Sequence, residues 1–334
     1  MKISELGEFG LIDLLAGIAN TADRHTASRQ RLIIGVGDDA AAWQGNAQMQ
    51  LATIDSLIQD VHFSLNYTPW QDLGWKALAV NLSDIAAMGG APMYALASLA
   101  LPGDTEVDDV TALYQGMAKL AEQSGVVIIG GDISRAPLVA ITITVLGNAR
   151  DQFMLTRSAA SPGEQIAVTG ELGGAAAGME TLTRQLEFDT GAMNALRNAF
   201  LHPQPRITEG QLLVQYGVRT AIDISDGLVA DLTHICQQSR VDARIEVERI
   251  PVHPAAKAGF GDRSLELALS GGEDYELLFT ATPKVINRVK RAASCPITII
   301  GETTAENTRG VTLVDRKGNP LRPGKWGWEH FSAE

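Results

Sequence analysis

The sequence has almost no cysteine. Cys236 and Cys295 alone occur, in contexts that read as helix and strand, so a disulfide framework is unsupported and a reducing cytoplasm is the expectation. Zinc chemistry lacks its spacing, because the histidines are scattered and none forms an HExxH-type pair. A GxxxxGK(S/T) phosphate loop is missing, since Gly324-Lys325 is followed by tryptophan. Positive charge is scarce as well: 27 Lys and Arg against 39 Asp and Glu give a formal charge of -12. That argues against a nucleic-acid partner, which needs a basic face. Small phosphorylated ligands remain open if divalent metal supplies the missing charge. No leader pattern is read at the start and no apolar run reaches membrane-spanning length, so no membrane partner is expected.

What is present is an ordinary globular composition of 334 residues, 45% hydrophobic and 20% charged, long enough for two domains. Periodicity predicts a helix over 5–20 and strands over 31–35 and 49–57. A largely buried helix over 72–88 stops at Gly89-Gly90. A strand over 92–101 and an amphipathic helix over 106–124 follow. Two strands, 125–129 and 138–147, are expected to be joined by a GGDISRAP loop. The polar stretch 148–152 suggests a boundary, giving domains 1–148 and 149–334. Beyond it come strands over 165–169, 221–224, 275–280 and 297–301, and a helix over 227–238 capped by Ser225 or Asp226. The fold class is α/β or α+β in two domains.

The acids recur where open sheets place their sites, at strand ends and glycine turns. Asp38 and Asp39 follow Gly35-Val-Gly37, Asp55 ends a strand within TIDS, and Asp132 follows Gly130-Gly131. Asp223 and Asp226 bracket Ser225, while Glu273 and Asp274 follow Ser270-Gly-Gly272. Asp84 lies inside the most apolar helix. Singly, each has a plain structural reading, such as an Asx turn or, for Asp84, pairing with Asn81. Together they repel: two like charges about 5 Å apart cost about 3 kcal/mol at an effective dielectric constant near 20. Protons or cations must stand between them. All-oxygen ligands point to Mg²⁺, which normally completes its shell with substrate phosphates, so a nucleotide enzyme is expected. Gly35-Val-Gly-Asp-Asp-Ala40 formally matches GxGxxA, but no long helix opens after it, which argues against a dinucleotide site.

Nine segments in order resemble the thiamine-monophosphate kinases of the aminoimidazole-ribonucleotide-synthetase-like ATP-binding superfamily. They are GEFGLI at 7–12, GVGDDAA at 35–41, KALAVNLSDIAAMGG at 76–90, IGGDISR at 129–135 and LTRSAA at 155–160. HPQPRI at 202–207, AIDISDGL at 221–228, SGGEDYEL at 270–277 and GWEHF at 327–331 complete the set. The resemblance implies transfer of the γ-phosphoryl of ATP to thiamine monophosphate. It implies several Mg²⁺ ions held by Asp39, Asp55, Asp84, Asp132, Asp223 and Asp226, with Thr53 contributing. Of these, Asp39, Asp84 and Asp226 are the expected catalytic residues, acting through Mg²⁺. ATP is expected around Tyr114, Gly131, Asp132, Arg157 and Ser225, and the thiamine side around His62, Glu273 and Trp328. The fold implied is an N-terminal domain whose sheet pairs across a homodimer, plus a C-terminal α+β domain. One departure is Ile54, where the family usually has a hydroxyl residue that a metal contact could use.

The physical reading agrees. A phosphate acceptor is already anionic, so no general base is required. Clustered Mg²⁺ screens two polyanions that must meet in line. Arg157 suits bidentate contact with phosphates, and Trp328 stacking on the thiazolium or pyrimidine. Two alternatives are a synthetase-type member of the superfamily and a non-catalytic metal- or nucleotide-binding protein on the same fold.

Overall fold

A computed structural model describes residues 32–34, 38–44, 49–149, 153–305, 308, 310–321 and 327. The expected helix over 5–20, the GEFGLI segment and Trp328 lie outside the described residues. The N-terminal sheet contains β1 (Leu32–Ile34), β2 (Ala41–Gln44), β3 (Met49–Ile58), β4 (Ala91–Leu101), β5 (Val127–Arg135) and β6 (Ala140–Asn148). Their order is β1-β2-β3-β6-β4-β5, antiparallel except for the β4–β5 pair. Two helices join these strands, α1 (Trp70–Ala87) and α2 (Val107–Ser124). The chain then builds a second sheet from β7 (Gln165–Thr169), β8 (Thr220–Asp223), β9 (Val241–Glu246), β10 (Leu277–Ala281), β11 (Ile297–Ala305), β12 (Val311–Val314) and β13 (Pro320–Leu321). Its order is β13-β12-β9-β11-β7-β10-β8. The helices with it are α3 (Gly174–Thr183), α4 (Thr190–Leu201), α5 (Ile207–Gln215), α6 (Leu228–Ser239), α7 (Pro254–Phe260), α8 (Arg263–Ser270) and α9 (Pro283–Ala292). The mixed two-domain architecture read from the sequence is borne out.

Alternation along β3, β4 and β6 buries one face of the first sheet, through Leu51, Ala95, Ala97, Leu99, Ile141, Ile143 and Val145. Helices α1 and α2 cover that face and cross each other closely. A side chain at Gly74 would meet the Leu113 carbonyl oxygen at 1.9 Å, and one at Gly116 would meet that of Gln71 at 1.8 Å. Helix α1 is buried nearly all round, Lys76, Asn81 and Ser83 included. Such a helix lies inside the molecule rather than on it: α1 has the first sheet on one side and α4, α5 and β8 on the other. The HPQPRI segment locks it there. The Trp75 indole N–H donates to the Pro203 carbonyl at 3.0 Å. His202 stands edge-on to the Trp75 ring and lies 2.9 Å from Asp72.

Two local expectations are corrected. GGDIS is not a loop but the body of β5, in which Gly131 pairs with Ala97 and Asp132 with Ser98. Glycine is there for close approach, since a side chain on Gly131 would sit 1.8 Å from the Ala97 carbonyl oxygen. Neither Ser225 nor Asp226 caps α6; Gly227 precedes that helix, and Asp231 of its first turn reaches back instead. The α1–α2 crossing predicts that Gly116→Val will overpack the interface and destabilise the chain by about 1–3 kcal/mol or more. Denaturant unfolding measures this, and wild-type stability would contradict the close approach.

Candidate active site

A cleft between the two halves is lined by Asp55, Val80 and Asp84 from the first and by Asp223, Ser225, Asp226, Glu273 and Tyr275 from the second, with His62 at its edge. Each carboxylate arrives from a different element. Asp55 follows Thr53 on the helix-facing side of β3, Asp84 comes from the last turns of α1, and Asp223 ends β8. One oxygen each of Asp39, Asp84 and Asp223 lies within 4.8 Å of the others, and Asp226 forms a similar group with Asp231 and His234. Hydroxyls serve the same groups: Thr53 donates to Asp84 at 2.5 Å and Ser83 to Asp223 at 2.6 Å. Asn81 instead donates to the Ala77 carbonyl, so it is not the partner of Asp84.

Burial raises the pKa of Asp84 well above the ordinary value, and the charges of Asp55, Asp223 and Asp39 raise it further. Burial and Asp39 push Asp223 up to about 8 against the hydrogen bond from Ser83. Burial also raises Asp55, against its hydrogen bond with Asp84. Arg157 offsets part of this repulsion. Its guanidinium pairs with Asp39, its Nε lies 3.7 Å from Asp38, and its backbone N–H donates to Asp38 at 3.3 Å. Burial works against that cation, yet the two aspartates outweigh it and raise its pKa. Burial and Asp39 push Asp38 to about 7, with Arg157 pulling the other way. The second oxygen of Asp39 is buried with no hydrogen-bond partner. An orphaned buried carboxylate oxygen beside two further carboxylates is a donor set that fits a hard divalent cation.

Of the residues read from the sequence, Asp39, Asp55, Asp84 and Asp223 come together, with Thr53 behind Asp84. Asp226 and Ser225 share their cleft. Glu273 and His62 line it, the His62 Nδ1 accepting from the Ile58 N–H at 3.0 Å. Asp132 does not join them within one chain. It is exposed on β5, where register aligns it with Ser98, Thr142 and Ser56. That row shares the outer face with Ile54, whereas Thr53 and Asp55 face the helices. Asp132 is thus on the far side of the sheet and three strands away, roughly 14 Å. The same alternation settles Ile54: it is 64% exposed and points away from the carboxylates. Tyr114 lies in a separate apolar groove between α2 and β5, with Val107, Val110 and Ile133.

Sequence reading missed Ser83, Asp231 and the roles of the SGGEDYE acids. The Asp231 carboxylate accepts from the consecutive backbone N–H groups of Ser225, Asp226 and Gly227 at 3.0–3.2 Å, fixing the loop that presents Asp226. Asp274 accepts from Gly173 and Ala175 at the start of α3. Glu276 pairs with Arg206 and accepts from Thr169. The sequence offered little signal for Ser83, Asp274 and Glu276, because their partners are distant in the chain; for Asp231 the partners are four to six residues away, but as backbone N–H groups they leave no mark in residue type.

The sequence profile of the N-terminal domain of AIR synthase related protein matches residues 37–149, and that of its C-terminal domain residues 161–314. A thiamine-monophosphate kinase of Aquifex aeolicus is 36% identical over 99% of this chain and 100% of its own. That of Bacillus subtilis is 34% identical over 96% and 98%, and that of Escherichia coli K12 37% identical over 98% and 99%. Among solved structures, "AaThiL complexed with AMPPCP and TMP" is similar with a TM-score of 0.86 and 34% identity, covering 99% of both chains. Hydrogenase maturation protein HypE in complex with ATP shares the fold, with a TM-score of 0.72 at 18% identity over 88% of this chain and 89% of its own.

Asp38 and Asp223 bind their protons far more tightly folded than at the ordinary value of 3.8. The folded chain then holds more protons than the unfolded one between about pH 4 and 8, so stability falls as the pH rises through that window. Metal-free protein should therefore melt at a lower temperature near pH 8 than near pH 5.5, and added Mg²⁺ should raise the melting temperature more at the higher pH. Scanning calorimetry in chelator and in Mg²⁺ decides this; a melting temperature that climbs with pH in chelator would contradict it.

Proposed function

The chain belongs to the thiamine-monophosphate kinases of the AIR synthase related family, and we propose that it transfers the γ-phosphoryl of ATP to thiamine monophosphate, giving thiamine diphosphate and ADP. The observation that carries the reading is the buried meeting of Asp39 with Asp55, Asp84 and Asp223 at a cleft that shows no nucleophile–base pair among the described residues. A carboxylate cluster of that kind suits divalent-metal-assisted polyphosphate chemistry. Asp39, Asp55, Asp84, Asp223 and Asp226 would hold Mg²⁺, and Asp39, Asp84 and Asp226 are the catalytic residues of the reading. The bound ions supply charge neutralisation for the two phosphate groups.

The chain's own residues then have distinct tasks. Thr53 and Ser83 orient Asp84 and Asp223. Asp231 holds the loop of Ser225 and Asp226. Arg157 steadies Asp38 and Asp39 and is the cation assigned to the ATP phosphates, and Ser225 lines the cleft. The apolar groove at Tyr114, lined on β5 by Ile133 and Ser134, suits a nucleobase, and Gly131 and Asp132 are assigned to ATP by family resemblance. His62 and Glu273 face the acceptor, and Trp328 is assigned to the same side by family resemblance. No base deprotonates the acceptor, because its phosphate is already anionic.

We also infer a homodimer and a cytoplasmic setting. The outer face of the first sheet exposes Ile54, Tyr94 and Leu96, at 64%, 40% and 38%. A contiguous apolar sheet face of this kind marks a protein interface. A second copy there would also cover Asp132. For the setting, no described helix is long and apolar enough to cross a membrane. The domains are taken as 1–148 and 149–334, since β6 ends at Asn148.

Purified protein given ATP, Mg²⁺ and thiamine monophosphate should form thiamine diphosphate, and Asp84→Asn should lower turnover at least about a hundredfold. Absence of product while ATP binds would overturn the reading. Ile54→Asp should convert a dimer to a monomer in sedimentation; an unchanged mass would remove the sheet face from the interface.

A further inference from the structure

Lys76 is a lysine with 1% exposure in the middle of α1. Its ammonium lies 2.9 Å from the Glu273 carboxylate and 3.6 Å from the centroid of the Phe200 ring. Burying an ammonium costs several kcal/mol unless a partner compensates. Here an anion and an aromatic face do so. Lys76 is not among the residues lining the cleft; Glu273 is, with a side chain 25% exposed.

The backbone at Glu273 is unusual. Glu273 and Tyr275 both have positive φ, 60° and 50°, a region that side chains other than glycine and asparagine seldom occupy. Hydrogen bonds from the Glu273 N–H to the Ser225 carbonyl at 2.7 Å and from the Tyr275 N–H to that of Ile224 at 2.9 Å hold the loop in it. Strain of this kind persists where the surroundings fix it, and it is found at ligand clamps. Asp274 and Glu276 are committed to α3 and to Arg206, which leaves Glu273 as the acid of this loop facing the cleft.

Helix geometry gives the spacing. Lys76, Val80 and Asp84 stand at i, i+4 and i+8 on one stripe of α1, so Glu273 meets the helix roughly 12 Å along the axis from the aspartate cluster. The proposed acceptor has the matching polarity, with an anionic phosphate at one end and a cationic thiazolium in its organic half. We propose that Lys76 is a positioning residue for that organic, cationic half of the acceptor, acting through Glu273. It rests on the thiamine monophosphate reading. Lys76 holds the Glu273 carboxylate against α1, so the acid meets the cation at a fixed distance from the phosphate end.

The test is steady-state kinetics on wild type, Lys76→Met, Glu273→Gln and the double variant, varying each substrate with the other saturating. Lys76→Met should raise the KM for thiamine monophosphate about tenfold or more, the scale of a charged hydrogen bond, and leave the KM for ATP within about twofold. The double variant should resemble Glu273→Gln, because Lys76 acts through that group. Equal changes in both KM values, or effects that multiply in the double variant, overturn the proposal. If Lys76→Met fails to fold, the double variant, which buries no unpaired charge, takes its place and must match Glu273→Gln in KM; a further tenfold rise refutes it. Wild type without product condemns the acceptor reading, whereas wild-type turnover with an unaltered Lys76→Met condemns the Lys76 role alone.

Discussion

Mutual repulsion among buried carboxylates governs this protein. Asp55, Asp84 and Asp223 sit where burial opposes their ionisation, and the charges of neighbouring carboxylates, Asp39 among them, oppose it further. A chain would discard such a cluster if stability were the sole criterion. Its retention requires a compensating cation, and Arg157, tied to Asp38 and Asp39, supplies a single positive charge. Thr53 and Ser83 contribute hydrogen bonds but no charge. The remaining compensation is what a divalent ion and its phosphate ligands provide, which links the electrostatics of the folded chain to its proposed chemistry.

Helix α1 turns that repulsion into a site. It packs against the first sheet on one side and the second half of the chain on the other, so its polar stripe faces the place where the halves meet. Trp75 and Asp72 fasten it through HPQPRI, and Gly74 and Gly116 bring α2 down onto it. The loop at 271–276 fastens the other wall, with Asp274, Glu276 and Glu273 directed to three separate anchors. Residues that read as one acidic motif are therefore mostly braces for the cleft.

Some of this was legible in the residues. The helix over 72–88, its glycine stop and the strand over 92–101 matched within two residues, because a long apolar run that ends at a glycine pair leaves few alternatives. GGDIS was misread because paired glycines usually mark a turn; in β5 they permit a close approach to Ala97. The α6 cap was misread for a related reason. Ser225 and Asp226 have the right composition for a cap, but their own N–H groups are taken by Asp231.

The sequence by itself determined the kinds of group available. It has many acids beside glycines and strands, no zinc spacing, no nucleophile–base set and one apolar helix carrying an acid. Those follow from composition and local periodicity, which each residue carries with it. Only the tertiary structure decided which acids meet. Strand alternation turns Asp55 toward α1 and Ile54 away, and strand order sends Asp132 across the sheet. Lys76 finds Glu273 from nearly two hundred positions away in the chain. Pairing between distant segments depends on how two sheets close around one helix, and no local pattern encodes that closure.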